Sequence, residues 1–366
     1  MSWFGHAPGA LGLRAGDLVE VRSEEDILAT LDAGGTLDGL PFMPEMLAHC
    51  GQRYRVDKRA DKTCDTINYH GSRRMHHTVH LGGLRCNGSA HGGCQALCLF
   101  FWKEAWLKRV TGPSDPLVKV SDGKRPPAMA STALRFDRTS LRSATRRRNT
   151  AGDDEVLYRC QATDLLLAST PMAWWDVRQY VRDVRSGNVG VWDLVNAAFF
   201  CTVRSLLLAR WFRGYSALLW LYNRVQAWRG GSPYPIHRGN LDRTPTQTLD
   251  LRVGECVRVK SHDEILQTID TRGRNRGLSF DKEMVPYCGT EHRVVARVER
   301  IIDERSGKMV KMSKDCIILE GAVCRSVYSE KRFFCPRSLY PFWREIWLQR
   351  VTESLPGSQP MAGADA

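Results

Sequence analysis

The chain 17–22 alternates apolar and polar side chains in the period-two pattern of a half-buried strand, and 255–260 repeats it. A short capped helix is predicted after each strand. Ser23 with Asp26, and Ser261 with Glu264, have the spacing at which a hydroxyl and an acid satisfy free backbone donors at a helix start. Ile27, Leu28 and Leu31, like Ile265, Leu266 and Ile269, supply one apolar face. Two further strands are expected in each segment. Tyr54–Arg59 and Met75–Leu81 flank Tyr69-His70-Gly71-Ser72; His292–Ile302 and Met309–Leu319 flank Glu304-Arg305-Ser306-Gly307. An aromatic segment closes each one, Phe100–Leu107 or Phe342–Leu348, and Trp102, Ala105 and Trp106 fall on one face if it is helical.

These parallels belong to an internal repeat in which residues 13–110 return, rewritten, as 251–351. Without a gap, Gly39-Leu40, Phe42, Glu45-Met46 and Cys50-Gly51 match Gly277-Leu278, Phe280, Glu283-Met284 and Cys288-Gly289. After a short insertion Cys94, Phe101-Trp102, Glu104 and Trp106-Leu107 match Cys335, Phe342-Trp343, Glu345 and Trp347-Leu348. The period is domain-sized, far longer than the ~20–50 residues of solenoids. The expected organisation is a tail (1–12), a first module (13–110), a basic linker (111–150), a helical connector (151–230), a loop (231–250), a second module (251–351) and a disordered tail (352–366).

A Gly-Asp-x-Val-x-Val opening strand, a long first loop and a strongly bent antiparallel sheet look like a small SH3-like barrel. The fold class expected is α+β: two SH3-like β-barrel modules, each ending in an aromatic helix, joined by a helical connector. The wider pattern includes Gly-Leu-x-Phe-x-x-Glu-Met, the run Arg59-Ala60-Asp61-Lys62-Thr63-Cys64-Asp65-Thr66, His91-Gly92-Gly93-Cys94 and Phe-Trp-(Lys/Arg)-Glu-x-Trp-Leu. It resembles a family of bacterial proteins with duplicated, cysteine-containing modules. That resemblance implies the architecture and transfers no activity.

Charge widens the range of partners without choosing among them. The chain has 366 residues and a formal net charge of +13, yet no recognised nucleic-acid reader motif accompanies it, so nucleic acid ranks low among the expected partners. No signal peptide and no spanning stretch is evident, and the expected compartment is the bacterial cytoplasm, with the inner face of the membrane as an alternative. In that reducing setting the twelve cysteines must serve as metal ligands, nucleophiles or buried apolar groups.

Three cysteines recur at matched positions: Cys50 with Cys288, Cys86 with Cys324, and Cys94 with Cys335. Metal ligation by these residues and Cys98 is the leading expectation, zinc first because its tetrahedral shell accepts sulfur and nitrogen, an iron–sulfur cluster second. His91, His292 and Cys316 are additional candidate ligands. Plain burial and redox chemistry remain open. The first module alone adds Cys64, Cys98 and the histidines His70, His76, His77, His80 and His91, whereas Ile302 and Leu339 stand where Cys64 and Cys98 would repeat. Any catalytic centre is therefore expected there, with Cys64, Cys98 and His91 as candidates.

The connector interleaves apolar blocks with arginines across 190–228. Such a helix can pack internally with its guanidinium groups snorkelling, the favoured reading, or lie on a membrane surface. Two functions follow: a metal-binding, two-module interaction protein that grips a protein partner, or a metal- or thiol-dependent enzyme centred in the first module.

Overall fold

The computed structural model describes residues 10–68, 71–110, 137–148, 155–209, 214–234, 239–329 and 331–351. They form a mixed α+β protein of several small antiparallel sheets and few helices. Two compact units result. One takes the chain up to Tyr215 with Arg300–Lys311 and Cys324–Leu339; the other takes Ser216–Glu299, Met312–Val323 and the chain from Tyr340. The second repeat segment is thus divided, and two of its stretches belong to the first unit.

The first unit is built on a five-stranded sheet in the order Trp102–Lys103, Thr78–Leu81, Arg53–Arg59, Leu18–Val21, Leu107–Arg109. Val19 and Val21 point inward from the central part of the sheet, and both are fully buried. The Glu24–Leu28 helix starts at Ser23, whose hydroxyl accepts the Asp26 N–H at 3.2 Å. Only the hydroxyl half of the expected capping box is formed here. Ile27 from this helix joins Leu40, Phe42, Met46, Val56, Trp102 and Trp106 in the core. Phe42 meets Trp106 edge-on at 5.1 Å, and the Trp106 indole N–H donates to Thr30 at 3.0 Å.

In the other unit the sheet order is Ile317–Leu319, Glu291–Arg297, Cys256–Val259, Leu348–Arg350. Ser261 and Glu264 form the full capping box. Val257, Val259, Ile265, Phe280, Trp343 and Trp347 make the core, with Trp347 donating to Thr268 at 2.9 Å.

Three expectations are corrected. No sheet closes into a barrel among the described residues; the two edge strands of the first sheet are joined by chain, not by a ladder. The aromatic segments are not helices. The first runs strand, 3-10 turn, strand with Glu104–Trp106 as the turn, so Trp102 and Trp106 are buried while Ala105 is exposed; the second makes an isolated bridge at Trp343, then the Glu345–Trp347 3-10 turn and the Leu348–Arg350 strand. The expected strand from Met75 breaks at His76 and His77, the latter at φ +52°, and only Thr78–Leu81 pairs with Arg53–Arg59. Between these strands the chain makes a separate hairpin, Lys62–Cys64 with Ser72–Arg74, to which Thr170–Met172 adds a third strand.

The linker and connector differ too. Arg146–Arg148, expected as solvated linker, pairs with Val156–Tyr158, and the Arg147 guanidinium reaches the buried Asp164 at 3.2 Å. Helices span Val177–Arg185, Val191–Ala209 and Tyr215–Arg229. The expectations for 1–9, 69–70, 111–136 and 352–366 lie outside the described residues.

Candidate metal centre

The loop from Cys86 to Cys94 is wound around Gly88. The Gly88 carbonyl accepts the His91 and Gly93 N–H groups at 3.1 and 2.9 Å, and its own N–H donates to Cys86 Sγ at 3.4 Å. Gly88 has φ +72°, and a Cβ there would lie 2.2 Å from the Cys94 carbonyl oxygen. Only glycine fits both the backbone angle and the approach. The loop is anchored by the Cys86 N–H bond to the Cys98 carbonyl, 2.8 Å long.

This winding turns His91 inward until its side chain is almost wholly buried. Its Nε2 lies 3.4 Å from Cys86 Sγ, and its Nδ1 lies 3.1 Å from Glu45 Oε1. Glu45 comes from the Pro44–His49 3-10 turn and also accepts the Ala90 N–H at 2.9 Å. Both Glu45 Oε2 and His91 Nδ1 are buried without a well-directed hydrogen bond, a costly condition in a protein interior. Among the described residues Glu45, Cys86 and His91 are the group of ligand type close enough to share one metal ion.

Beyond them lies a cavity of about 40 Å³, lined by Cys86, His91, Cys94, Cys98, Cys160, Glu304 and Arg337 among others. Burial pushes the Cys98 thiol up to about 11 and the Cys160 thiol to about 12. Cys86 is raised further, first by burial and then by the Glu45 carboxylate. Burial also opposes the charge of Glu45, but His91 and the Ala90 N–H outweigh it and hold this carboxyl below its ordinary value. Without a cation, then, the site couples an ionised carboxylate to neutral thiols.

A second cysteine pair lies nearby in the chain's first unit. Cys335 Sγ accepts the Cys64 N–H at 3.1 Å, and Cys64 is buried beside it. The Cys64 thiol is raised by its bond to Cys335 and by burial. Burial raises Cys335 as well, but the bond from Cys64 and the Arg337 guanidinium bring it below an ordinary thiol. Arg337 is itself buried, donates to Thr66 at 2.8 Å and pairs with Glu304 at 3.2 Å.

The predicted ligands therefore separate. Cys86 and His91 meet. Cys50 does not join them; it packs at the edge of the core, with Glu24 and Arg138 as its charged neighbours. Cys94 and Cys98 line the adjoining cavity, where Cys94 Sγ accepts the Ile302 N–H at 3.4 Å. Cys288, Cys324 and Cys335 form no ligand group among the described residues; Cys288 belongs to one unit, and Cys324 and Cys335 to the other. Both ring nitrogens of His292 are engaged, Nε2 with Thr290 Oγ1 and Nδ1 with the Glu320 carbonyl, each at 2.8 Å. Cys316 is buried against Arg344 at 3.6 Å. His80, fully buried, donates from Nδ1 to the Phe100 carbonyl at 2.9 Å, and burial lowers its pKa to about 3.

Sequence reasoning missed Glu45 and Cys160. Glu45 was visible as a match to Glu283 but read as framework, and Cys160 lies outside the repeat. No protein-family model, curated protein or solved structure matches the chain.

Proposed function

We propose that the first unit is a metal-binding domain, zinc being the ion its donors suit best. The observation that carries this reading is the half-buried to buried Glu45–Cys86–His91 group beside a cavity lined by three more thiols. In it Cys86 Sγ and His91 Nε2 are ligands, and Glu45 Oε1, 3.1 Å from the opposite ring nitrogen, is the carboxylate that would fix the tautomer of a metal-bound imidazole. Cys94, Cys98 and Cys160 line the adjoining cavity, and each would have to move closer to Cys86 and His91 to add a sulfur donor to the same ion. A divalent cation is the partner that would stabilise thiolates in a place where burial alone keeps them protonated.

A second reading uses the same three residues as nucleophile, base and orienting carboxylate, and the contacts from Sγ to Nε2 and from Nδ1 to Oε1 favour it. We rank it below the metal. A nucleophilic cysteine needs a lowered pKa, whereas Cys86 is raised, and a cavity of about 40 Å³ admits an ion or water more readily than an organic substrate.

We also read the two repeat segments as SH3-like modules that work as a matched pair. Support comes from their ladders: Leu18 faces Arg55 and Val19 faces Arg109, while Cys256 faces Arg293 and Val257 faces Arg350, the positions aligned by the repeat. Reciprocal contacts add to it. Cys64 N–H donates to Cys335 while Ile302 N–H donates to Cys94, and Thr66 bonds the aligned Glu304. All three contacts lie within the first unit. The role that follows is that of a metal-stabilised protein that binds a protein partner.

Elemental analysis of the purified protein tests the metal. About one zinc per chain is expected, lost in both Cys86→Ser and His91→Ala. A brown, iron-containing preparation would move the reading to a cluster. Metal-free protein with an alkylation-sensitive Cys86 would favour the thiol reading.

A further inference from the structure

The Val191–Ala209 helix is predominantly apolar, with Asp193 and Arg204 as its ionised residues. One face, with Ala197, Phe200 and Val203, is buried in the first unit. The opposite face presents Val191, Trp192, Val195, Phe199 and Leu206 to solvent, Trp192 at 79% and Phe199 at 46%. These positions recur at intervals of three, four and seven residues, so they form one stripe about 22 Å long at 1.5 Å per residue. In the preceding segment Trp175 and Val177 are also about two-thirds exposed, at 68% and 69%. A contiguous exposed apolar stripe of this kind marks an interaction surface. No helix among the described residues is long and apolar enough to cross a membrane.

Charge indicates what covers the stripe. Residues 177–229 contain eight arginines and two aspartates, with no lysine or glutamate. One of the two, Asp183, is already paired in the interior with Lys62. Two copies of so cationic a region would repel, whereas an anionic bilayer attracts it. Tryptophan beside arginine is the side-chain mixture favoured at a lipid headgroup boundary. The Tyr215–Arg229 helix, mostly in the other unit, has the same character, exposing Trp220 and Trp228 with Arg224 over the Trp220 ring.

We infer that the exposed face of the Val191–Ala209 helix docks on an anionic lipid surface, lying along the membrane with its stripe among the upper acyl chains. This inference is independent of the metal centre. It is tested with the full chain and sedimentable vesicles of phosphatidylcholine, alone or with about one-third phosphatidylglycerol. Wild-type protein should sediment with the anionic vesicles, more weakly as salt rises, and brominated acyl chains should quench its tryptophan fluorescence. Trp192→Gln with Phe199→Gln, both at exposed sites, should weaken partitioning by at least about tenfold while far-ultraviolet circular dichroism and metal content stay unchanged. Failure of the wild type to sediment with anionic vesicles would overturn the inference. So would a double variant that partitions as the wild type does, or a lipid-free dimer that the double variant abolishes, which would assign the face to a second copy.

Discussion

Replacing Glu104 by glutamine isolates the clasp that ties the first sheet's 3-10 turn to the entering chain. Glu104 is buried and accepts the N–H groups of Leu11, Gly12 and Leu13 at 2.7, 3.1 and 3.0 Å, and Arg59 at 2.8 Å. It thereby ties the 3-10 turn to the chain entering the opening strand. Glutamine keeps the shape but removes the charge and sets an NH₂ group against donors. Leaving two donors poorly matched, at ~1–3 kcal/mol each, gives an expected loss of about 3 kcal/mol. Near its clasp this corresponds to about a hundredfold faster amide exchange at Leu11–Leu13 if those amides open with the clasp. Urea unfolding and hydrogen–deuterium exchange at neutral pH read both quantities. The pH dependence has a definite sign. Burial works against ionisation, but Arg59 and the backbone donors outweigh it and depress the carboxyl below 4.5. The stabilisation is therefore complete above the unfolded-state pKa of ~4.3 and lost as the pH falls through the lower folded-state value. The difference between wild type and variant should shrink in acid. A loss under about 1 kcal/mol, or a difference that persists at acid pH, would refute the clasp.

Other outcomes follow from the same structure. Glu345→Gln should behave like Glu104→Gln in the other unit, because Glu345 accepts Leu249, Asp250 and Leu251 N–H groups at 2.7, 3.2 and 3.1 Å and pairs with Arg297. Gly88→Ala should abolish metal retention while leaving most of the circular dichroism signal intact, since the new methyl group collides with the Cys94 carbonyl inside the ligand loop; retained metal would argue against that loop as the site. Lys62→Met should cost about 3–5 kcal/mol by stranding the buried Asp183, and Asp183→Leu in the same chain should recover much of it in urea unfolding.

Local signals were the legible ones. Ser23 and Ser261 announce helix starts because a cap is decided by its own few residues. The mixed α+β class followed from the change of hydrophobic period between strands and helices. Trp102, Ala105 and Trp106 misled because a strand, a 3-10 turn and a strand can bury the same two tryptophans as a helix would. Glu104 was visible only as the repeat's match to Glu345. Its donors lie about ninety residues upstream, and nothing local shows them. The site was obscured for a related reason: pairing Cys50 with Cys288 identifies matched positions, not neighbours, whereas His91 reaches Glu45 only through the fold. Cys160 enters the cavity from outside the repeat, where comparison of copies is blind.

X-ray absorption at the zinc edge of the purified protein tests the central claim most directly. The account predicts a mixed shell with sulfur at ~2.3 Å and an imidazole nitrogen at ~2.0–2.1 Å, the nitrogen lost in His91→Ala and one sulfur lost in Cys86→Ser. An all-oxygen or all-nitrogen shell, or a spectrum unchanged by both substitutions, would place the ion elsewhere and contradict it.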